Sequence, residues 1–183
     1  MFGSPDLVLA GTGVGTPSSR DHISMDGVNF RWDPYELVEA ALHECRVNTE
    51  LSNAGLRTHE DEASRAPRLV VICIADKFGG PAMSTAHSLE AVRAEVEAFA
   101  QCFCVEAIAQ ADKCWDLGVV ATPAVLFFWD GEPVSVRRPD WDDDTKLHGA
   151  FTPDKLLEVI RHTRDTCLQP GPRPEGLLVA LDW

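Results

Sequence analysis

The chain has 183 residues, 45% of them hydrophobic, which is enough for one domain around one core. Its formal charge of −13, from 16 basic against 29 acidic residues, argues against unaided binding to nucleic acid, so any association with RNA is expected to be indirect. No apolar stretch approaches about 18 residues, which excludes a membrane-spanning helix. Met1 to Asp6 has no basic segment and Leu7 to Ala10 is too short for a signal peptide, so the cytosol or nucleus is expected.

Residues 1–29 are rich in Gly, Ser, Pro and Asp and show no period, which predicts an irregular or disordered extension. From residue 30 to 183 the pattern is that of a single folded domain. Asp33 reads as a helix N-cap, with Pro34 at the first helical position and Glu36 completing a capping box. Leu37, Val38, Ala41, Leu42 and Cys45 then fall on one face. The polar segment from Asn48 to Pro67, with Asn53, Gly55 and Glu60-Asp61-Glu62, predicts a long loop.

Leu69 to Ala75 is almost wholly apolar, as expected of a mid-sheet strand covered on both faces. Phe78-Gly79-Gly80-Pro81-Ala82 follows, and then a helix whose Leu89, Val92, Val96 and Phe99 make an apolar stripe. Gln101 to Ile108 reads as a strand and Gln110 to Leu117 as a short helix carrying Trp115. After Ala121-Thr122-Pro123, a hairpin joins Ala124–Trp129 to Pro133–Arg138 through Asp130-Gly131. Asp140, Asp142, Asp143 and Asp144 form an acidic run without the glycine and distal glutamate of a calcium loop. A solvated turn or a contact for a basic partner are the two readings. Thr152-Pro153-Asp154 caps a last helix with Leu156, Leu157, Ile160 and Thr163 on its buried face, and Leu177-Leu178-Val179 ends the chain with a strand-like tail.

Six cysteines in a reducing compartment are expected to be free and buried. Cys102 and Cys104 lack a second pair with zinc-ligand spacing, so neither a metal nor another cofactor is expected. His148 and His162 stand beside no Ser or Cys placed as a nucleophile, which makes them surface or packing residues.

The pentapeptide from Phe78 to Ala82 resembles the Trp-Cys-Gly-Pro-Cys loop of thioredoxins, with Gly79 and Ala82 in place of both cysteines. Thr122-Pro123 before a strand resembles the cis-proline that thioredoxins carry opposite that loop, and the isomer is implied by the resemblance. The order of elements predicts an α/β thioredoxin-like fold, with a central mixed sheet of about four strands between helices. The stretch Asp140 to Phe151 before the last helix, the Gly176-Leu177-Leu178-Val179 tail, Phe127-Phe128-Trp129-Asp130-Gly131, Val105-Glu106 and Trp32 are together similar to a thioredoxin-like spliceosomal family. That family comprises the fifteen-kilodalton subunit of the U5 snRNP and its paralogue, and the resemblance covers roughly residues 30 to 48 and 68 to 182.

This resemblance implies a nuclear, noncatalytic adaptor in precursor-mRNA splicing, whose partners are spliceosomal proteins of the U5 snRNP or tri-snRNP. Disulfide exchange needs an attacking and a resolving thiol, and neither Gly79 nor Ala82 supplies one. The expected contacts are Phe78, Pro81 and Trp115, unless each is core, with the backbone of Thr122 and Pro123 in a peptide groove. Asp142, Asp143, Asp144, Leu177 and Leu178 are further contact candidates. Two alternatives stand beside this reading: a thiol-disulfide oxidoreductase or peroxidase using a displaced Cys102, Cys104 or Cys114, and a cytosolic phosducin-like cochaperone.

Overall fold

The computed structural model describes residues 30–56, 66–137, 146–169 and 177–180. The expected amino-terminal extension, the acidic run from Asp140 to Asp144 and much of the expected loop before Pro67 lie outside them.

Helix α1 spans Tyr35–Asn53 and differs from expectation at both ends. Pro34, extended at φ −62° and ψ 140°, is the N-cap, and no side chain caps the helix. The Asp33 carboxylate instead accepts hydrogen bonds from the Cys104 backbone N–H at 2.8 Å and from Arg93 Nη2 at 3.0 Å. The Asp33 N–H donates to the Cys104 carbonyl at 2.7 Å. Asp33 thus satisfies backbone groups of an outer strand that would otherwise lack partners, a long-range demand that outweighs capping.

At its other end α1 continues six residues into the segment expected to be a loop, with Asn48 buried on its inner face. It stops in a Schellman turn. The Gly55 N–H donates to the Ser52 carbonyl and the Leu56 N–H to the Leu51 carbonyl, with Gly55 at φ +65°. Leu37, expected on the buried face, is exposed, and Tyr35, Val38, Ala41, Leu42 and Cys45 make that face.

Strand β1 (Leu69–Ala75) has every residue buried. It runs parallel to β2 (Ala100–Glu106) and antiparallel to β3 (Ala124–Trp129), so it is mid-sheet as expected. Because side chains alternate along a strand, Leu69, Val71, Cys73 and Ala75 meet α2 (Gly80–Val96), while Val70, Ile72 and Ile74 meet α1. The short α3 (Ala111–Asp116) adds Cys114 to the α1 side. Helix α4 (Pro153–Leu168) lies beside α2 on the other side and is capped as expected by Thr152, whose Oγ1 accepts from the Lys155 N–H at 3.4 Å. Phe99, expected on α2, falls in the turn after it, with the Arg164 guanidinium 4.3 Å above its ring.

Strand β4 (Glu132–Arg137) pairs antiparallel to β3. The sheet is two strands larger than expected: β5 (Leu147–His148) pairs with the start of β3, and β6 (Leu177–Ala180) adds parallel to β4, giving the order β2-β1-β3-β4-β6. A βαβ unit followed by an antiparallel hairpin and a closing helix is the thioredoxin-like arrangement.

The β3–β4 turn is locked to α1. Asp130 and Gly131 have φ of +56° and +81°, the left-handed pair of a tight hairpin turn. The buried Asp130 carboxylate takes a two-pronged ion pair from Arg68, Nε to Oδ1 at 2.6 Å and Nη2 to Oδ2, and the Arg68 guanidinium stacks 4.6 Å over Trp129. Arg46 of α1 donates through Nε and Nη2 to the Gly131 carbonyl at 3.1 and 2.9 Å. A Cβ on Gly131 would lie 2.4 Å from Arg46 Cγ and 2.7 Å from the Leu42 carbonyl oxygen. Gly131→Ala is expected to lower stability by about 2–4 kcal/mol, read as a fall in the urea midpoint at unchanged slope.

Candidate binding surface at one end of the sheet

The parallel β1 and β2 end at the same edge of the molecule, and β3 begins there, because Ala124 pairs with Ile74. The loop from Asp76 to Ala82, the turn after β2, the Thr122-Pro123 segment and β5 therefore converge. Asp76 Oδ1 accepts from the backbone N–H of Phe78 at 2.6 Å and of Gly79 at 3.2 Å, a side-chain turn that leads into α2. Lys77 Nζ stands 2.8 Å from Glu106 Oε1 and 5.1 Å from the Phe78 ring centroid, tying the loop to the end of β2.

Opposite the loop, the Thr122–Pro123 bond is cis, as the resemblance implied. Pro123 is buried and its carbonyl accepts from the Gly149 N–H at 3.3 Å. Thr85 on α2 joins these pieces: its Oγ1 lies 3.2 Å from the Pro81 carbonyl and 3.3 Å from that of Gly149, and accepts from the Phe151 N–H at 3.1 Å. Ser88 Oγ donates to the Phe151 carbonyl at 2.7 Å. Thr122 is exposed, and among the described residues no hydrogen bond engages its backbone.

The geometry of a redox loop survives without its sulfur. Gly79 has φ −91° and ψ 119°, a backbone any residue adopts, and a Cβ placed on it would lie 3.2 Å from Asp76 Oδ2, a side-chain atom that must give by a few tenths of an ångström, and 3.5 Å from the Ala82 Cβ. That separation lies within the range of about 3.5–4.5 Å that disulfides use.

On the loop and in the stretch between β2 and Thr122, four large apolar side chains face solvent: Phe78 is 77% exposed, Ile108 62%, Trp115 81% and Val120 84%. Trp115 and Phe78 are thus not core. Exposed hydrophobes of this size are candidates for contact with a partner. The structure brings Phe78, Pro81, Thr122 and Pro123 to this end, with Trp115 on the adjoining α3. Leu177 and Leu178 lie in β6 at the far edge, paired with Val134 and Ser135, and do not join them. Ile108 and Val120 are members that sequence reading missed. Ile108 stands outside β2, in the 3-10 turn after it, and Val120, in Val119-Val120 just before Ala121-Thr122-Pro123, was the one legible signal.

The six cysteines are all free and buried. Burial pushes the Cys102 thiol up to about 12 and raises that of Cys114. Cys73, facing Cys104 across the β1–β2 ladder, is raised well above the ordinary range by its hydrogen bond to Cys104 and by burial. Cys104 Sγ donates to the Ala86 carbonyl at 3.6 Å. Since the thiolate is the nucleophile, Cys102 and Cys114 are shifted in the direction that suppresses reactivity at neutral pH. Among the described residues no group of three or more His, Cys, Asp or Glu could hold a metal ion.

No family model matches the chain, and no curated protein matches it. Solved structures do. Chloroplastic thioredoxin z aligns over 74% of this chain and 94% of its own, at 13% identity and TM-score 0.48. A point-mutant thioredoxin from Halobacterium salinarum NRC-1 aligns over 63% and 88%, at 17% identity and TM-score 0.45. Mitochondrial thioredoxin 3 from Saccharomyces cerevisiae, in its oxidised form, aligns over 52% and 78%, at 18% identity and TM-score 0.42. The fold is thioredoxin-like, with a mixed sheet between helices.

Three outcomes follow from this geometry and burial. Oxidation of a Gly79→Cys/Ala82→Cys double variant by oxidised glutathione, which takes up two electrons and two protons to give two reduced glutathiones, is expected to join the new pair, seen by mass spectrometry as the loss of two hydrogen atoms; failure to close would contradict the loop geometry. The native thiols are expected to react with a thiol reagent only on unfolding. Because Cys102 ionises at about 12 in the fold against 9.0 ordinarily, its contribution to stability is intact below pH 9 and is lost as pH rises toward 12. Cys102→Ala should flatten that alkaline decline, measured by urea titration at several pH values.

Proposed function

We propose that the chain is a noncatalytic thioredoxin-like adaptor in precursor-mRNA splicing, acting through protein contacts in or near the U5 snRNP. The observation that carries the noncatalytic half is a loop with the spacing of a dithiol that holds no sulfur, with Phe78 exposed on it and Ile108, Trp115 and Val120 exposed in the stretch between β2 and Thr122. Such a surface binds without exchanging electrons. An extended segment of the partner sets apolar side chains against these residues and pairs its backbone with Thr122. The splicing half rests on the sequence likeness in the stretch before the last helix and in the aromatic strand Phe127-Phe128-Trp129. Partners are spliceosomal proteins, the location is nuclear, and RNA is met only through them, in keeping with the net charge of −13.

The test is affinity purification of the full chain from nuclear extract, with identification of proteins and small nuclear RNA. Wild type is expected to recover U5 components, and a Phe78→Ser/Trp115→Ser variant to lose at least about tenfold of that recovery while keeping its circular dichroism spectrum. Recovery of neither U5 proteins nor U5 RNA by the wild type would refute the splicing assignment. Turnover of a disulfide substrate by the wild type would refute the noncatalytic one.

A further inference from the structure

Nine large apolar side chains are exposed among the described residues, and Phe78, Ile108, Trp115 and Val120 belong to the surface above. Four of the remaining five, Leu37, Val47, Leu51 and Leu56, sit on α1 and its terminal turn. Leu37, Ala40, Glu44, Val47 and Leu51, all exposed, follow at spacings of three, four, three and four, which is the seam of a helix that packs against another helix. At a rise of about 1.5 Å per residue the seam runs about 21 Å, and Ala40 leaves room for close approach. The Schellman turn, with the Leu56 N–H on the Leu51 carbonyl at 3.1 Å, extends it, since such turns set those two side chains together. The core uses the other face, Val38, Ala41, Leu42 and Cys45, so the seam is additional to what folding needs.

Charge selects the occupant. Helix α1 carries Glu36, Glu39, Glu44 and Glu50 against a single Arg46, whose guanidinium already serves the Gly131 carbonyl and Glu132. A second copy of this chain would set glutamate against glutamate, and the whole molecule carries −13. We propose that this seam docks an amphipathic helix of another protein, one whose apolar stripe is flanked by Lys or Arg and sets a basic residue opposite Glu44. The site uses other residues than the loop surface and stands whether or not the splicing assignment does.

A fluorescent synthetic helix of three heptads, with leucines at the seam positions and lysine at the central one, probes it against the full-length protein at physiological salt. Fluorescence anisotropy is expected to show binding at least about tenfold tighter than for a scrambled peptide of the same composition. Leu37→Gln/Leu51→Gln is expected to remove that advantage, and Glu44→Lys to transfer the preference to a peptide with glutamate at the centre. These positions are exposed, so circular dichroism should be unchanged. The proposal is overturned if the ordered peptide does not bind, if the scrambled one binds equally, if the α1 variants bind as wild type, or if binding is lost instead in Phe78→Ser/Trp115→Ser.

Discussion

The burial of β1 on both faces is the constraint from which the rest of the architecture follows. Seven consecutive buried residues supply no polar side chain to satisfy backbone groups, so β1 must be hydrogen-bonded along both edges, and β2 and β3 take those places. Once it is central, the chain can leave only at the sheet's end, where Asp76 turns it into α2. The same pairing brings Ala124, and with it Thr122 and Pro123, to that end. Loop, proline segment and β5 meet because a single strand aligns them.

What this frame presents differs from a Cys-x-x-Cys loop. The loop holds a dithiol's spacing with Gly79 and Ala82, while the chain's sulfur lies in the interior, where desolvation opposes the thiolate. Chemistry and geometry have been separated, and the exposed aromatics remain as groups that make contacts. Fold alone does not name a partner. Among the described residues, exposed apolar side chains gather on two parts of the chain, the segments at the loop end and the outer seam of α1.

Where structure departs from the sequence expectation, long-range contacts redirect some residues with strong local signals, and local geometry accounts for the others. Asp33 has the form of an N-cap, but β2 presents a free N–H within its reach and takes the carboxylate. Asn48 to Asn53 looks like loop because its outer face is polar, yet the inner face still meets the core through Asn48, and Gly55 marks the true end. Leu37 was assigned inward on hydrophobicity, although its angle on the helix turns it outward. Trp115 and Phe78 left core and surface both open, since period alone cannot say which side of a short element is covered.

Hydrophobic period, turn residues and the missing sulfur were readable from the chain itself. They determined the order of the main elements, the central place of β1, the Asp130-Gly131 turn and the absence of a thiol at positions 79 and 82, because each is a local property of residue type and spacing. Tertiary structure alone decided the exposure of Ile108 and Val120, the exclusion of Leu177 and Leu178 from the loop end of the sheet, and the exposure of a second seam on α1. Those outcomes depend on which strands pair and which faces are covered, and pairing joins residues that sequence keeps far apart.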